Sequence, residues 1–90
     1  MEFEWDLVKA ESNLASHKVG FEEAQTVFDD PLAIVCEDTE HSFGERRFLL
    51  VGESFLDRTL VVCFTERGDN IRVISARTAT RGEGNSYEES

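Results

Sequence analysis

The sequence predicts an α+β domain: a short N-terminal strand and a two-helix hairpin packed on a three- to four-stranded antiparallel sheet, with a short C-terminal helix. Three observations carry this expectation. Residues 7–28 hold two stretches of helical period, and after Pro31 the apolar residues come instead in short runs rich in branched and aromatic side chains. Segment 60–77, LVVCFTERGDNIRVISAR, sets two such runs about Gly68-Asp69-Asn70, which is turn chemistry, and so reads as a β-hairpin. Helices gathered before strands, rather than alternating with them, define the class.

Taken in order, Phe3-Glu4-Trp5 alternates like an edge strand, and Asp6 is placed to cap a helix over residues 7–16. Leu7, Ala10 and Leu14 fall on one face of that helix, with Lys9, Glu11, Ser12 and Asn13 off it. Gly20 interrupts the pattern. Phe21 opens FEEAQTVF, in which Phe21, Ala24 and Phe28 share a face and Glu22-Glu23 occupy the first turn, where the helix dipole favours negative charge. Asp29-Asp30-Pro31 ends it, since the residue before a proline is driven from helical geometry. Phe3 and Trp5 are assigned to the core, because large aromatics dominate packing in so small a domain.

Residues 32–36 form the next strand, and Glu37 to His41 a polar loop, assigned as solvated rather than metal-binding for want of a second histidine. Residues 46–51 follow as a strand with Arg46 and Arg47 at its start, and residues 52–59 as a turn region. In the main hairpin, strict alternation puts Val61, Cys63, Thr65 and Arg67 on one face of the first arm. It puts Ile71, Val73, Ser75 and Arg77 on one face of the second, with Arg72 on the other. Residues 78–89 have modest helix character, weakened by Gly82 and Gly84, so a short helix with a frayed tail over 83–90 is expected.

Ninety residues make one domain, 1–90, which buries only roughly 60–65% of its unfolded surface, so its stability margin is thin. No run of about 18 apolar residues is present to cross a bilayer, and MEFEWD lacks the basic start and apolar middle of a secretory signal; a soluble, cytoplasmic chain is expected, without a membrane role. Cys36 and Cys63 each sit in an apolar run and are expected as buried free thiols.

The net charge of −10 argues against nucleic-acid binding when taken as one number. Its distribution does not. Residues 1–40 hold 11 acids against Lys9 and Lys18, whereas residues 41–82 hold five acids against seven arginines. The second half can therefore present a local cationic surface, or its arginines can be ordinary solvated strand residues.

Phe3-Glu4-Trp5-Asp6, Phe21-Glu22-Glu23-Ala24, Val27-Phe28, Asp30-Pro31, Gly44-Glu45, Glu66-Arg67, Ile71-Arg72 and Ile74-Ser75-Ala76-Arg77 stand in an order and spacing that resembles the BrnT family over essentially the whole chain. That family comprises toxins of bacterial type II toxin–antitoxin pairs. The resemblance implies a RelE-like fold and a ribonuclease that arrests growth by cutting RNA, with no cofactor. It also implies a cognate antitoxin of the BrnA type, which covers the toxin, dimerises through its own DNA-binding part and alone contacts operator DNA.

Without a metal, RNA is cleaved by attack of its own 2′-hydroxyl on the adjacent phosphate. The protein must then help remove a proton, stabilise the extra negative charge and protonate the departing oxygen. Arginine suits the middle task, because its fixed fork of donors matches phosphate oxygens. By resemblance Arg67, Arg72 and Arg77 stand on the ER, IR and SAR positions and Arg47 on the basic position after Gly-Glu. Arg67 and Arg77 are the first choices for catalysis. His17 or Glu66 is the proton-handling candidate, and Arg72, Arg47, Lys18 and Arg46 are the RNA-binding set. Two alternatives stay open: His17 as a helix-end packing residue, and Arg72 in a structural ion pair.

Three features depart from the family pattern. Ser16 and Lys18 flank His17 where relatives carry lysine and glycine, no positive charge follows Arg81, and the overall balance is acidic. They support an alternative function: a weak or inactive toxin fold that binds its antitoxin and works in operon regulation.

Overall fold

The computed structural model describes residues 1–89; Ser90, the end of the expected tail, lies outside the described residues. A five-stranded sheet of order β1-β5-β4-β3-β2 is built from β1 (Phe3–Glu4), β2 (Ile34–Glu37), β3 (Arg47–Glu53), β4 (Thr59–Arg67) and β5 (Asn70–Thr78). Helices α1 (Leu7–His17), α2 (Phe21–Thr26) and α3 (Arg81–Glu89) complete the architecture, with a 3₁₀ turn over Val27–Asp29. The α+β expectation holds; the five strand segments foreseen are all present, and the N-terminal one joins the sheet, which is five-stranded rather than three- to four-stranded. The sheet is also mixed, because β1 runs parallel to β5, pairing Phe3 with Ile71 and Glu4 with Arg72. A two-residue strand pairing near the far end of the chain leaves no local signal that gives its direction.

Asp6 caps α1 as expected, its Oδ1 accepting from the amides of Val8 and Lys9 at 2.8 and 3.1 Å. The face of α1 is not the expected one. Leu7 and Leu14 are exposed, only Ala10 of that set packs on the core, and Asn13 is buried. The cause is that α1 seals the free edge of β5. The Asn13 amide donates to the carbonyls of Ala76 and Val19 (2.8 and 2.9 Å), and its Oδ1 accepts from the Ala76 amide (3.0 Å). Asn13 thus satisfies a strand edge as a further strand would, which forces this side of the helix inward whatever its polarity.

One sheet face carries Leu50, Leu60, Val62, Phe64, Val73 and Ala76 against Val19, Phe21, Ala24 and Val27 from the helical segment. Phe28 packs edge-on against both Phe3 and Phe64, at 5.0 Å each, and Trp5 against Phe21 at 5.9 Å. Gly52 lies under the 3₁₀ turn, where a Cβ would stand 2.8 Å from Ala33 Cβ and 2.9 Å from Val27 Cγ1. Glu23, in the first turn of α2, is buried. Its carboxylate is bound by the Arg58 guanidinium and by the Ser54 hydroxyl at 2.6 Å, while Arg58 also donates to the Lys18 carbonyl at 3.0 Å. That network ties the α1–α2 corner to the β3–β4 loop.

The β4–β5 ladder contains a bulge. Cys63 pairs with Ser75 but Phe64 with Val73, so Ile74 is the extra residue. Strict alternation therefore fails in β5, and Val73 turns to the helix-covered face while Ser75 turns away. Arg72 and Arg77, expected on opposite pleats, consequently share one face.

Both cysteines are free, Cys63 buried and Cys36 exposed, so the expectation of two buried thiols holds for one. Cys36 lies on the four-residue edge strand, where no further strand shelters it. Leu49 stands between the two cysteines in the register, and two strand spacings, about 10 Å, exceed disulfide reach. Among the described residues no helix is long and apolar enough to cross a membrane.

Candidate functional site

The site lies on the sheet face turned away from α1 and α2. Cross-strand register fixes its rows: Arg47, Thr65 and Arg72 form one, Leu49, Cys63 and Ser75 the next, and Val51, Val61 and Arg77 the third. Arg67, opposite Asn70, continues the same face to the hairpin tip. Side chains of one parity thus put four arginines on one surface, and the Ile74 bulge is what brings Arg72 onto it. Beside it is a cavity of about 390 Å³ lined by Asp38, Glu40, His41, Arg47, Leu49, Cys63, Ile74, Ser75 and Arg77.

Each guanidinium has a distinct environment. Glu83 of α3 grips Arg77 with both oxygens, at 2.7 and 2.8 Å, which raises the arginine pKa. The same contact, helped by the Thr80 amide, holds Glu83 down to about 2. Arg72 lies 3.5 Å from Glu4 across the β1–β5 pair. The Arg47 Nε pairs with Glu45 Oε1 at 3.7 Å, too far for a hydrogen bond, and among the described residues this buried donor has no hydrogen-bond acceptor. Arg67 is exposed and makes no ion pair among the described residues.

The floor of the cavity is less reactive. Burial pushes the Cys63 thiol up, against the nearby Arg47 charge, so this sulfur is a packing group.

Not every expected residue comes to this place. Arg67 lies six positions along β4 from Val61, the partner of Arg77, a separation of about 20 Å. Glu66 points to the opposite face, where it rims an apolar groove with Phe28, Phe48, Phe64 and Ile71. Arg46 is also on that side, bidentate to Glu37 at 2.9 and 3.1 Å and 5.4 Å above the Phe48 ring. His17 ends α1 and lines a separate cavity of about 190 Å³ with Lys9, Ser12, Asn13, Ser16 and Ile74. Lys18 adopts the left-handed C-cap conformation (φ 59°), donates to the Ala15 carbonyl and does not line the cavity of Arg47 and Arg77.

Two features escaped the sequence-based expectation. Thr80 and Glu83 form a reciprocal capping box, amide to Oε1 at 2.8 Å and amide to Oγ1 at 3.2 Å, whose Thr-x-x-Glu signal was present ahead of Gly84. His41 is exposed, as expected of a solvated loop, but its Nδ1 is 2.9 Å from Asp38 Oδ2 and its ring lines the arginine cavity. Nothing in the local sequence shows that the 38–46 loop folds back over the sheet.

Helices α1 and α2 cover one face of a small sheet, and clustered arginines with α3 beside them stand on the other; together they define an α+β domain with an anion-receptive surface. Residues 5–83 match the family described as the ribonuclease toxin, BrnT, of type II toxin–antitoxin systems. The chain belongs to that family. The crystal structure of the Brucella abortus ribonuclease toxin, BrnT, has the same architecture: TM-score 0.70 and 26% sequence identity, over 90% of this chain and 99% of that one. No curated protein matches the chain. A type II toxin family implies an antitoxin partner.

Proposed function

We propose that this chain is a RelE-like endoribonuclease that cleaves RNA at the arginine-lined cavity beside α3 and so blocks translation and growth in the cytoplasm. The observation that carries this is the convergence of Arg47 and Arg77 on one cavity, with Arg72 in the same cross-strand row as Arg47. Arg47, whose Nε meets only Glu45, at 3.7 Å, among the described residues, and Arg77, once released from Glu83, would bracket the scissile phosphate. Arg72 and Arg67 would carry flanking phosphates along the sheet. Guanidinium donors aimed at a charge that grows during attack lower the barrier, and the 2′-hydroxyl supplies the nucleophile, so the route needs no metal. A BrnA-type antitoxin would neutralise the toxin, dimerise the complex and alone contact operator DNA.

Inducing the protein alone in a bacterial host tests this. Wild type should halt growth and fragment RNA, and Arg47→Ala with Arg77→Ala should abolish both at equal soluble expression. Equal growth and intact RNA with either protein would remove the enzyme. The ion pairs of Arg72 and Arg77 with Glu4 and Glu83 favour a second reading, a non-catalytic antitoxin-binding module. It predicts that soluble wild type is harmless and still copurifies with its antitoxin.

A further inference from the structure

We infer that His41, oriented by Asp38, is the general base that activates the 2′-hydroxyl. The inference rests on the RNA-cleaving function proposed above and adds the proton-handling group that His17 and Glu66, on other surfaces, do not bring to the arginines. His41 and Asp38 both line the cavity that holds Arg47 and Arg77, and the Asp38 carboxylate is 2.9 Å from Nδ1. A carboxylate only accepts, so Nδ1 carries the hydrogen and Nε2 presents a lone pair. That nitrogen has no protein partner among the described residues, whereas Asp38 is largely buried, with a side-chain exposure of 13% against 62% for His41. Further bonds anchor the loop: the Asp38 amide donates to the Arg47 carbonyl (2.7 Å), Ser42 Oγ donates to the Asp38 carbonyl (2.6 Å), and the Arg47 amide donates to Ser42 Oγ (3.0 Å). The base is thereby fixed to the strand that carries the phosphate-binding arginine.

The step balances. Nε2 takes the 2′-hydroxyl proton, the 2′-oxygen bonds to phosphorus, the P–O5′ bond breaks, and the 5′-oxygen takes a proton from water. The products are a 2′,3′-cyclic phosphate and a 5′-hydroxyl. The imidazolium returns its proton to the hydroxide so formed, and no other reactant is needed. Charged and titratable groups facing His41 are Asp38 and Glu40 of its own loop, Arg47 of β3, Cys63 of β4 and Arg77 of β5; Glu45 and Glu83 act on it through the arginines.

The test is single-turnover cleavage of a mixed-sequence single-stranded RNA across pH, alongside binding of the DNA strand of the same sequence, which lacks the nucleophile. His41→Ala should cut the rate about 10²- to 10⁴-fold, erase the rise of rate with pH, and leave DNA affinity within about threefold. Asp38→Asn keeps an acceptor for Nδ1–H but removes the charge; as a positioning change it should slow cleavage about tenfold and alter the pH–rate profile while leaving DNA affinity within about threefold. A wild-type rate and an unchanged acid limb in His41→Ala overturn the dyad. If Arg47→Ala loses cleavage while His41→Ala keeps it, only the dyad falls; if wild-type protein does not cleave at all, both proposals fall.

Discussion

At the scale of single residues, the site depends on which cations are held and which are waiting. Glu83 sits at about 2, against an ordinary 4.5, because Arg77 and the Thr80 amide favour its charged form. The folded value is below the unfolded one, so its stabilisation is complete above about pH 4.5 and is lost as the pH falls towards 2. Urea melts of wild type should lose stability over that window, and Glu83→Gln should flatten the slope. The same substitution frees Arg77 and should tighten RNA binding at neutral pH, which fluorescence titration reads. Gly52 offers a purely steric contrast: an alanine there meets Ala33 and Val27 below 3.0 Å, so Gly52→Ala should cost about 1–3 kcal/mol by urea denaturation. The motif arginines were legible because residue type and spacing are written in the chain. The partner of each was not, since Glu83 and Glu4 reach Arg77 and Arg72 only through folded geometry.

Between elements, the strand positions and the Asp6 cap were readable from local pattern, and the facing of α1 was not. Periodicity marked Leu7 and Leu14, but hydrogen bonding to an unpaired strand edge decided in favour of Asn13. Asn13→Ala should leave the Ala76 amide and carbonyl unsatisfied and cost about 2–4 kcal/mol, with faster hydrogen exchange confined to α1 and the end of β5. Asn13→Asp keeps the acceptor but sets a buried carboxylate oxygen against the Val19 and Ala76 carbonyls, and should cost at least as much as the alanine variant. The bulge at Ile74 was likewise invisible, because one extra residue in β5 changes no composition yet inverts the parity of all that follows. It converts an expected split of Arg72 from Arg77 into a shared surface. Replacing Arg58 should also be costly, about 3 kcal/mol, since Glu23 would remain buried beside only Ser54.

For the molecule as a whole, a net charge of −10 repels RNA at long range, so binding must come from the local arginine row. With Arg47, Arg72 and Arg77 as phosphate contacts, log affinity for a single strand should fall with log salt at a slope of about −2. The fold class and family were legible throughout the chain; the five-stranded mixed sheet and the cavity under the 38–46 loop required long-range contacts. The most direct measurement of the central claim is an NMR titration of the labelled protein with a single-stranded, 2′-deoxy oligonucleotide. The account predicts shifts concentrated at Arg47, Leu49, Cys63, Ser75 and Arg77, with the arginine Nε resonances of Arg47 and Arg77 moving most. Shifts confined to the α1 cavity around Lys9, Ser12 and His17, or to the Phe28–Phe48–Glu66 face, would contradict it.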